Sequence, residues 1–140
     1  MKSVAITGSS KGIGAVIAKT FYDDGCFVVI NGRNNNNYDD ELGERATFVE
    51  GDVYQIDTHT RMAKAAMKFN GRVDTFINCA GVSIWRAIDR VDKEFWDRVI
   101  GTNLEGTFWG CKVAARFMED GGCIINVSSL AGKRGSANNS

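Results

Sequence analysis

Residues 4–14 of this sequence are Val4-Ala5-Ile6-Thr7-Gly8-Ser9-Ser10-Lys11-Gly12-Ile13-Gly14, and they decide the fold. A short apolar run typical of a buried strand leads into three glycines, which let the backbone turn tightly and approach a bound group. The helix predicted to begin near Gly12 directs free N–H groups and the positive end of its dipole at this loop, which suits a phosphate. A strand, a glycine turn and a helix N-terminus form the first βα unit of a dinucleotide-binding fold. The spacing G-x-x-x-G-x-G differs from the usual G-x-G-x-x-G, so a glycine-rich turn that binds nothing is the alternative.

The overall composition is that of an ordinary soluble globular protein. Apolar residues make up 44% of the chain, charged residues 24%, and the formal net charge is zero, so neither nucleic acid nor an anionic membrane is an expected partner. No apolar stretch is long enough to span a membrane. The first strand begins almost at Met1, so we expect no signal peptide. Widely spaced cysteines at positions 26, 79, 111 and 123 favour buried, reduced thiols over disulfides or a metal site. We therefore expect a cytoplasmic protein without a metal ion.

Predicted strands and helices alternate along the chain. The strands are residues 4–6, 26–30, 46–50, 73–77 and 123–127, and helices are expected at about 12–24, 38–42, 57–69 and 92–118, the last with a break at Gly101. This alternation predicts one α/β domain over residues 1–140, built on a Rossmann-like, doubly wound parallel sheet. Right-handed crossovers and the usual switch point give the strand order 3-2-1-4-5, with ligands bound at the carboxyl edge of the sheet.

Three local features give further expectations. The first helix has an apolar face at helical spacing, formed by Ile13, Val16, Ile17 and Phe21. The asparagine run at residues 34–37 is expected to be a mobile, solvated loop, with a functional lid as the alternative. His59 is the only histidine, and it falls in the first turn of the third helix, where we expect it to face solvent without a role.

Five segments carry motifs in order along the chain. They are Thr7-Gly8-Ser9-Ser10-Lys11-Gly12-Ile13-Gly14, Gly51-Asp52-Val53, Asn78-Cys79-Ala80-Gly81, Thr102-Asn103-Leu104 and Ile125-Asn126-Val127-Ser128-Ser129-Leu130-Ala131-Gly132. Together they resemble the cofactor-binding portion of the classical short-chain dehydrogenase/reductase family, with its T-G-x-x-x-G-x-G loop, its N-x-A-G motif and its S-x-x-G frame. The resemblance covers all 140 residues. It implies hydride transfer between a nicotinamide cofactor and a small-molecule carbonyl or alcohol, of the 3-oxoacyl, sugar or steroid kind.

The resemblance also implies a cofactor site. Its residues would be Gly8, Ser9, Ser10, Lys11, Gly12, Ile13, Gly14, Asn31, Arg33, Asp52, Val53, Asn78, Ala80 and Gly81. Asp52 would lie against the adenine ring, and amides near Ser10 and Ile13 would meet the pyrophosphate. NAD sites place an acid at the end of the second strand, whereas this chain has Asn31-Gly32-Arg33. Arg33 can clamp the extra phosphate of NADP and Lys11 adds a second charge, so we expect NADP(H) rather than NAD, with merely solvated charges as the alternative.

Two catalytic residues follow from the same resemblance. The S-x-x-G frame puts the catalytic serine at Ser129, with Ser128 as the second choice, and this hydroxyl would stabilise charge that develops on the substrate oxygen. Asn103 would order a water in a proton relay. Structural readings remain open for both, since Ser129 could be a turn residue and Asn103 a hydrogen-bonding residue at a helix kink.

The family's general acid has no counterpart in this sequence. It is a tyrosine in Y-x-x-x-K about a dozen residues beyond the serine, a position that falls past Ser140. The chain's own tyrosines, at positions 22, 38 and 54, are not followed four residues later by lysine. We therefore expect the fold to stop before the family's sixth and seventh strands and the 140-residue chain to lack ketone reductase activity. A complete chain would be an NADP(H)-dependent reductase that could form a homo-oligomer. The alternatives are a non-catalytic dinucleotide-binding module and a fragment that binds no nucleotide.

Overall fold

The computed structural model describes residues 1–138 and contains a five-stranded parallel sheet. Its strands are β1 (Ser3–Ile6), β2 (Phe27–Gly32), β3 (Ala46–Glu50), β4 (Thr75–Asn78) and β5 (Cys123–Asn126). Neighbouring strands are parallel throughout, and their order across the sheet is β3-β2-β1-β4-β5. The predicted α/β class and the predicted strand order are confirmed.

Across residues 1–138, five α-helices connect and cover the strands. They are α1 (Gly12–Asp23), α2 (Tyr38–Leu42), α3 (Ile56–Asn70), α4 (Lys93–Ile100) and α5 (Gly106–Phe117). The break predicted at Gly101 is a π-helical turn, Gly101–Glu105, which joins α4 to α5 without interrupting the helical path. Short 3₁₀ turns lie at Ile88–Arg90 and Leu130–Gly132. Within residues 1–138, every helix is too short or too polar to cross a membrane.

The core lies on both faces of the sheet. On one face, Ala5, Val29 and Phe76 pack against buried residues of α3 and α5. On the other face, Val4 and Ile30 belong to a second cluster that includes Ala18 of α1. Because both faces are covered, β1 and β2 are continuous apolar runs rather than alternating ones.

Two expectations about burial hold only in part. Ile17 and Phe21 of α1 pack against the core as expected, on the same face as the buried Gly14 and Ala18. Ile13 and Val16 lie off this face and are 71% and 68% exposed. The cysteines are not uniformly buried either. All four are free thiols, but Cys123 is exposed because β5 is an outer strand of the sheet.

Candidate functional site

A cavity of about 510 Å³ opens at the carboxyl edge of the sheet, between the loops that follow β1, β2, β3 and β4. Every residue predicted to bind the cofactor lines it except Ser9 and Asn78. The lining residues outside that predicted set are Gly32, Asn34, Asn36, Gly51, Cys79, Val82, Thr102 and Val127. This is the edge at which doubly wound sheets bind their ligands.

The floor of the cavity is formed by two loops that pack backbone against backbone. Gly8 has φ +62°, and a Cβ built on it would lie 2.7 Å from the Cα of Ala80. A Cβ on Gly14 would lie 2.4 Å from the carbonyl oxygen of Gly8. The N-cap of α1, Lys11, makes no side-chain capping hydrogen bond, so the first turn of the helix presents its N–H groups to the cavity. This combination of glycines and an uncapped helix start can hold a phosphate.

Thr7 joins the two loops, a role that the motif alone did not reveal. Its Oγ1 accepts hydrogen bonds from the amides of Cys79 at 3.0 Å and Ala80 at 3.1 Å, and it lies 3.4 Å from the carbonyl oxygen of Ile77. The side chain is buried and bridges the end of β1 to the end of β4. A threonine directly after a buried strand and before a glycine is the sequence signal that could have identified it.

Ser9, behind the cavity wall, and Asn31, which lines it, hold this part of the wall in place. The hydroxyl of Ser9 donates to the carbonyl of Ile6 at 2.6 Å and accepts from the amide of Asn31 at 3.0 Å. The side-chain amide of Asn31 donates to the carbonyls of Val49 and Gly51, and its Oδ1 accepts from the Gly8 amide. The side-chain polar atoms of both residues are thus engaged by the protein itself.

The end of the cavity beside β2 is cationic. Lys11 and Arg33 both line it and are exposed, and within residues 1–138 neither forms an ion pair with an acidic side chain. Residues 31–36 contain no acid. Asp52 lines the same cavity and is the carboxylate on its wall.

The asparagine run contacts the glycine loop instead of projecting freely into solvent. Asn34 and Asn36 line the cavity, and the side-chain amide of Asn36 donates to the carbonyl of Ser10 at 2.7 Å. Asn35 accepts a hydrogen bond from the amide of Asn37, which adopts a left-handed φ of 59° just before α2. The run is exposed, as expected of a solvated loop, and it also contributes to the rim of the site.

His59 is fully buried, which contradicts the expectation that it faces solvent. It lies on the face of α3 that carries Met62, Ala63 and Ala66, and these residues pack on the sheet. Its Nε2 lies 2.7 Å from the carbonyl oxygen of Val53, so Nε2 carries the proton and donates it. Burial lowers the pKa of His59 below 6.5, although the hydrogen bond to Val53 acts in the opposite direction.

Asn78 links strands instead of lining the cavity. Its Nδ2 donates to Oδ1 of Asn126 at 2.8 Å and contacts the Sγ of Cys111 at 3.5 Å. A Cβ built on Gly110 would lie 1.9 Å from Asn78 Oδ1, so α5 can approach β4 here only with a glycine. The side chain of Asn78 thus fixes the ends of β4 and β5 and the position of α5.

The two predicted catalytic residues do not line the cavity. The side chain of Asn103, in the π-helical turn, makes two hydrogen bonds of 2.9 Å to the backbone of Val82, one accepted and one donated. It thereby holds the loop after β4 that forms part of the cavity. Ser129 is exposed, and its Oγ accepts from the amide of Ala131 at 3.2 Å, which caps a 3₁₀ turn.

Comparisons with known proteins agree with this geometry. The family model described as short chain dehydrogenase matches residues 2–140. The 3beta-hydroxysteroid dehydrogenase 1 of Eggerthella lenta is 38% identical over 139 residues, which cover 92% of this chain and 53% of that protein. The NADP-dependent (R)-specific alcohol dehydrogenase of Lentilactobacillus kefiri is 30% identical over 144 residues, with coverage of 94% and 55%.

A solved structure is also similar to this chain. The short-chain dehydrogenase/reductase from Brucella melitensis superposes with a TM-score of 0.92 at 26% identity, covering 99% of this chain and 58% of that one. The chain thus spans a little over half the length of the relatives and the structure that it matches.

Proposed function

The chain belongs to the short-chain dehydrogenase family, and from this premise we propose that its cavity binds NADP(H). The complete protein would then transfer hydride between this cofactor and a small carbonyl or alcohol substrate. One observation supports the choice of cofactor above the others. The cavity wall beside β2 carries Lys11 and Arg33, with asparagines and no acid in the neighbouring residues 31–36.

The residues around the cavity fit a dinucleotide. Gly8 and Gly14 let the loop pack closely where side chains would collide with backbone. The uncapped start of α1 offers N–H groups and a positive dipole to a pyrophosphate. Asp52 and Val53 line the part of the wall that would meet the adenine. When bound, the cofactor supplies or accepts the hydride.

Arg33 and Lys11 would discriminate between the two nicotinamide cofactors. An arginine offers a planar array of donors that matches a phosphate, and an ammonium adds a point charge beside it. A carboxylate at this position would instead repel the extra phosphate of NADP and accept from the ribose hydroxyls of NAD. A relative whose name states NADP dependence, the Lentilactobacillus kefiri alcohol dehydrogenase, is consistent with this assignment.

Ser129 and Asn103 would act on the substrate side. Because the Ser129 oxygen already accepts from the Ala131 amide, its own hydroxyl proton is available to a substrate oxygen on which charge develops. The side-chain amide of Asn103 is committed to Val82, so its contribution to a proton relay would come through the backbone of the π-helical turn. A cytoplasmic location is part of the proposal, since all four cysteines are free thiols.

Replacement of Arg33 tests the cofactor assignment. Arg33→Asp should weaken NADPH binding by about 10- to 100-fold, the value of a charge-assisted hydrogen bond, while NADH binding is maintained or improved. Isothermal titration of both cofactors gives the two dissociation constants. Lys64→Glu, the same change of charge at an exposed position of α3, is the control and should leave both unchanged. Equal ratios of NADPH to NADH affinity in the wild-type protein and Arg33→Asp would refute the role of Arg33.

A further inference from the structure

The first turn of α3 places two buried polar side chains beneath the loop that follows β3. Thr58 and His59 are both fully buried. The Thr58 hydroxyl would lie 2.4 Å from a Cβ on Gly51, and the His59 ring reaches the carbonyl of Val53 at 2.7 Å. Gly51 and Val53 line the cavity, so α3 supports this part of the wall directly.

Burial of a histidine ring at position 59 costs free energy, which suggests that its hydrogen bond has a role in the site. The same face of α3 continues with apolar residues. The centroid of the Phe76 ring lies 6.0 Å from that of the His59 ring. The Nδ1 of His59 is buried and has no hydrogen-bond partner among the described residues. A leucine or methionine would fill the space without desolvating a ring nitrogen. Among residues 1–138, the hydrogen bond from Nε2 to the Val53 carbonyl is thus the one polar contact that the His59 side chain makes.

Val53 connects His59 to the rest of the site through its own contacts. A Cβ on Gly106 would lie 2.8 Å from Cγ2 of Val53, so the valine is fixed between α3 and the start of α5. Gly106 directly follows the π-helical turn that carries Asn103, and Asn103 holds Val82 at the other side of the cavity. A shift of Val53 would therefore displace residues on both walls of the cavity.

We propose that His59 is a positioning residue, whose Nε2–H fixes the Val53 carbonyl and thereby the wall at the adenine end of the cavity. This inference rests on the proposed cofactor site. It goes beyond that site because it assigns affinity for the adenine half to a side chain that is buried and does not line the cavity.

Binding of 2′,5′-ADP, which carries the adenine half and the extra phosphate, tests the inference. His59→Leu should weaken the binding of 2′,5′-ADP by about 5- to 10-fold, the value of one lost hydrogen bond. His59→Gln offers a side-chain N–H to the same carbonyl and should bring the affinity back to within about twofold of the wild-type value. If His59→Leu is too unstable for calorimetry, His59→Met fills the same space and carries the same expectation.

A stability control separates positioning from a general effect on the fold. Met62→Ala lies one turn further along the same buried face of α3, and it should lower the urea midpoint without changing the affinity for 2′,5′-ADP. Unchanged affinity in His59→Leu, or an equal loss in Met62→Ala, would overturn the positioning role while the cofactor site stands. A wild-type protein that does not bind 2′,5′-ADP would overturn the cofactor site and this inference with it.

Discussion

Replacement of Gly110 by alanine should destabilise the protein through a single contact. A Cβ at this position would lie 1.9 Å from Oδ1 of Asn78, whereas a carbon and an oxygen normally stay about 3.3 Å apart. Either α5 moves away from β4, or the side chain of Asn78 rotates. Rotation breaks the 2.8 Å hydrogen bond to Asn126 that joins the ends of β4 and β5.

The magnitude follows from three terms. Overpacking in a well-packed core costs about 1–3 kcal/mol. Loss of the Asn78–Asn126 hydrogen bond adds about 1 kcal/mol. Alanine favours a helix over glycine by about 1 kcal/mol, which offsets part of this cost. We expect Gly110→Ala to lower the free energy of unfolding by about 1–3 kcal/mol.

Urea unfolding followed by far-UV circular dichroism measures this loss, and a double-mutant cycle identifies its cause. In an Asn78→Ala background the oxygen is absent, so Gly110→Ala should then be neutral or stabilising. Gly101→Ala is the matched control, because a Cβ there would meet Tyr54 only at an ordinary 3.6 Å. An equal cost for Gly110→Ala in both backgrounds would refute the reasoning.

Two further predictions concern stability. Thr7→Val should cost about 2–4 kcal/mol in urea unfolding, because the amides of Cys79 and Ala80 lose their acceptor. Thr20→Val, at an exposed position of α1 where the hydroxyl donates only to the carbonyl one turn earlier, should stay within about 0.5 kcal/mol. Similar costs for both would mean that Thr7 does not hold β1 to β4. Burial lowers the pKa of His59 in the folded protein, whereas the unfolded chain binds a proton near pH 6.5. The free energy of unfolding should therefore fall as the pH drops from about 7 toward 5.5. Because His59 is the only histidine, His59→Leu should remove this slope, and an unchanged slope would contradict the assignment.

Local patterns in the sequence predicted the elements that depend on neighbours along the chain. The apolar run before Gly8 and the glycines that follow predict β1, its turn and α1, because each depends on backbone freedom and short-range periodicity. The short α2 covers the residues expected of it, 38–42. The strand order follows from the handedness of crossovers, which does not depend on individual side chains.

Features that depend on distant contacts could not be predicted in the same way. His59 occupies a helical position whose orientation is decided by how α3 lies on the sheet, and its partner Val53 becomes visible only in three dimensions. The need for glycine at position 110 arises from Asn78, 32 residues earlier in the chain. Asn31 lines the cavity, but the hydrogen bonds of its side-chain amide to two neighbouring loops are set by contacts that the sequence does not show.

Cofactor binding is the first step of the proposed activity. It is measured by titrating the 140-residue chain with NADPH and with NADH while the quenching of its tryptophan fluorescence is recorded. We expect saturable one-to-one binding of both cofactors, with NADPH bound about tenfold or more tightly because Arg33 and Lys11 meet its extra phosphate. Absence of saturable binding, or NADH bound as tightly as NADPH, would contradict the assignment of this cavity to NADP(H).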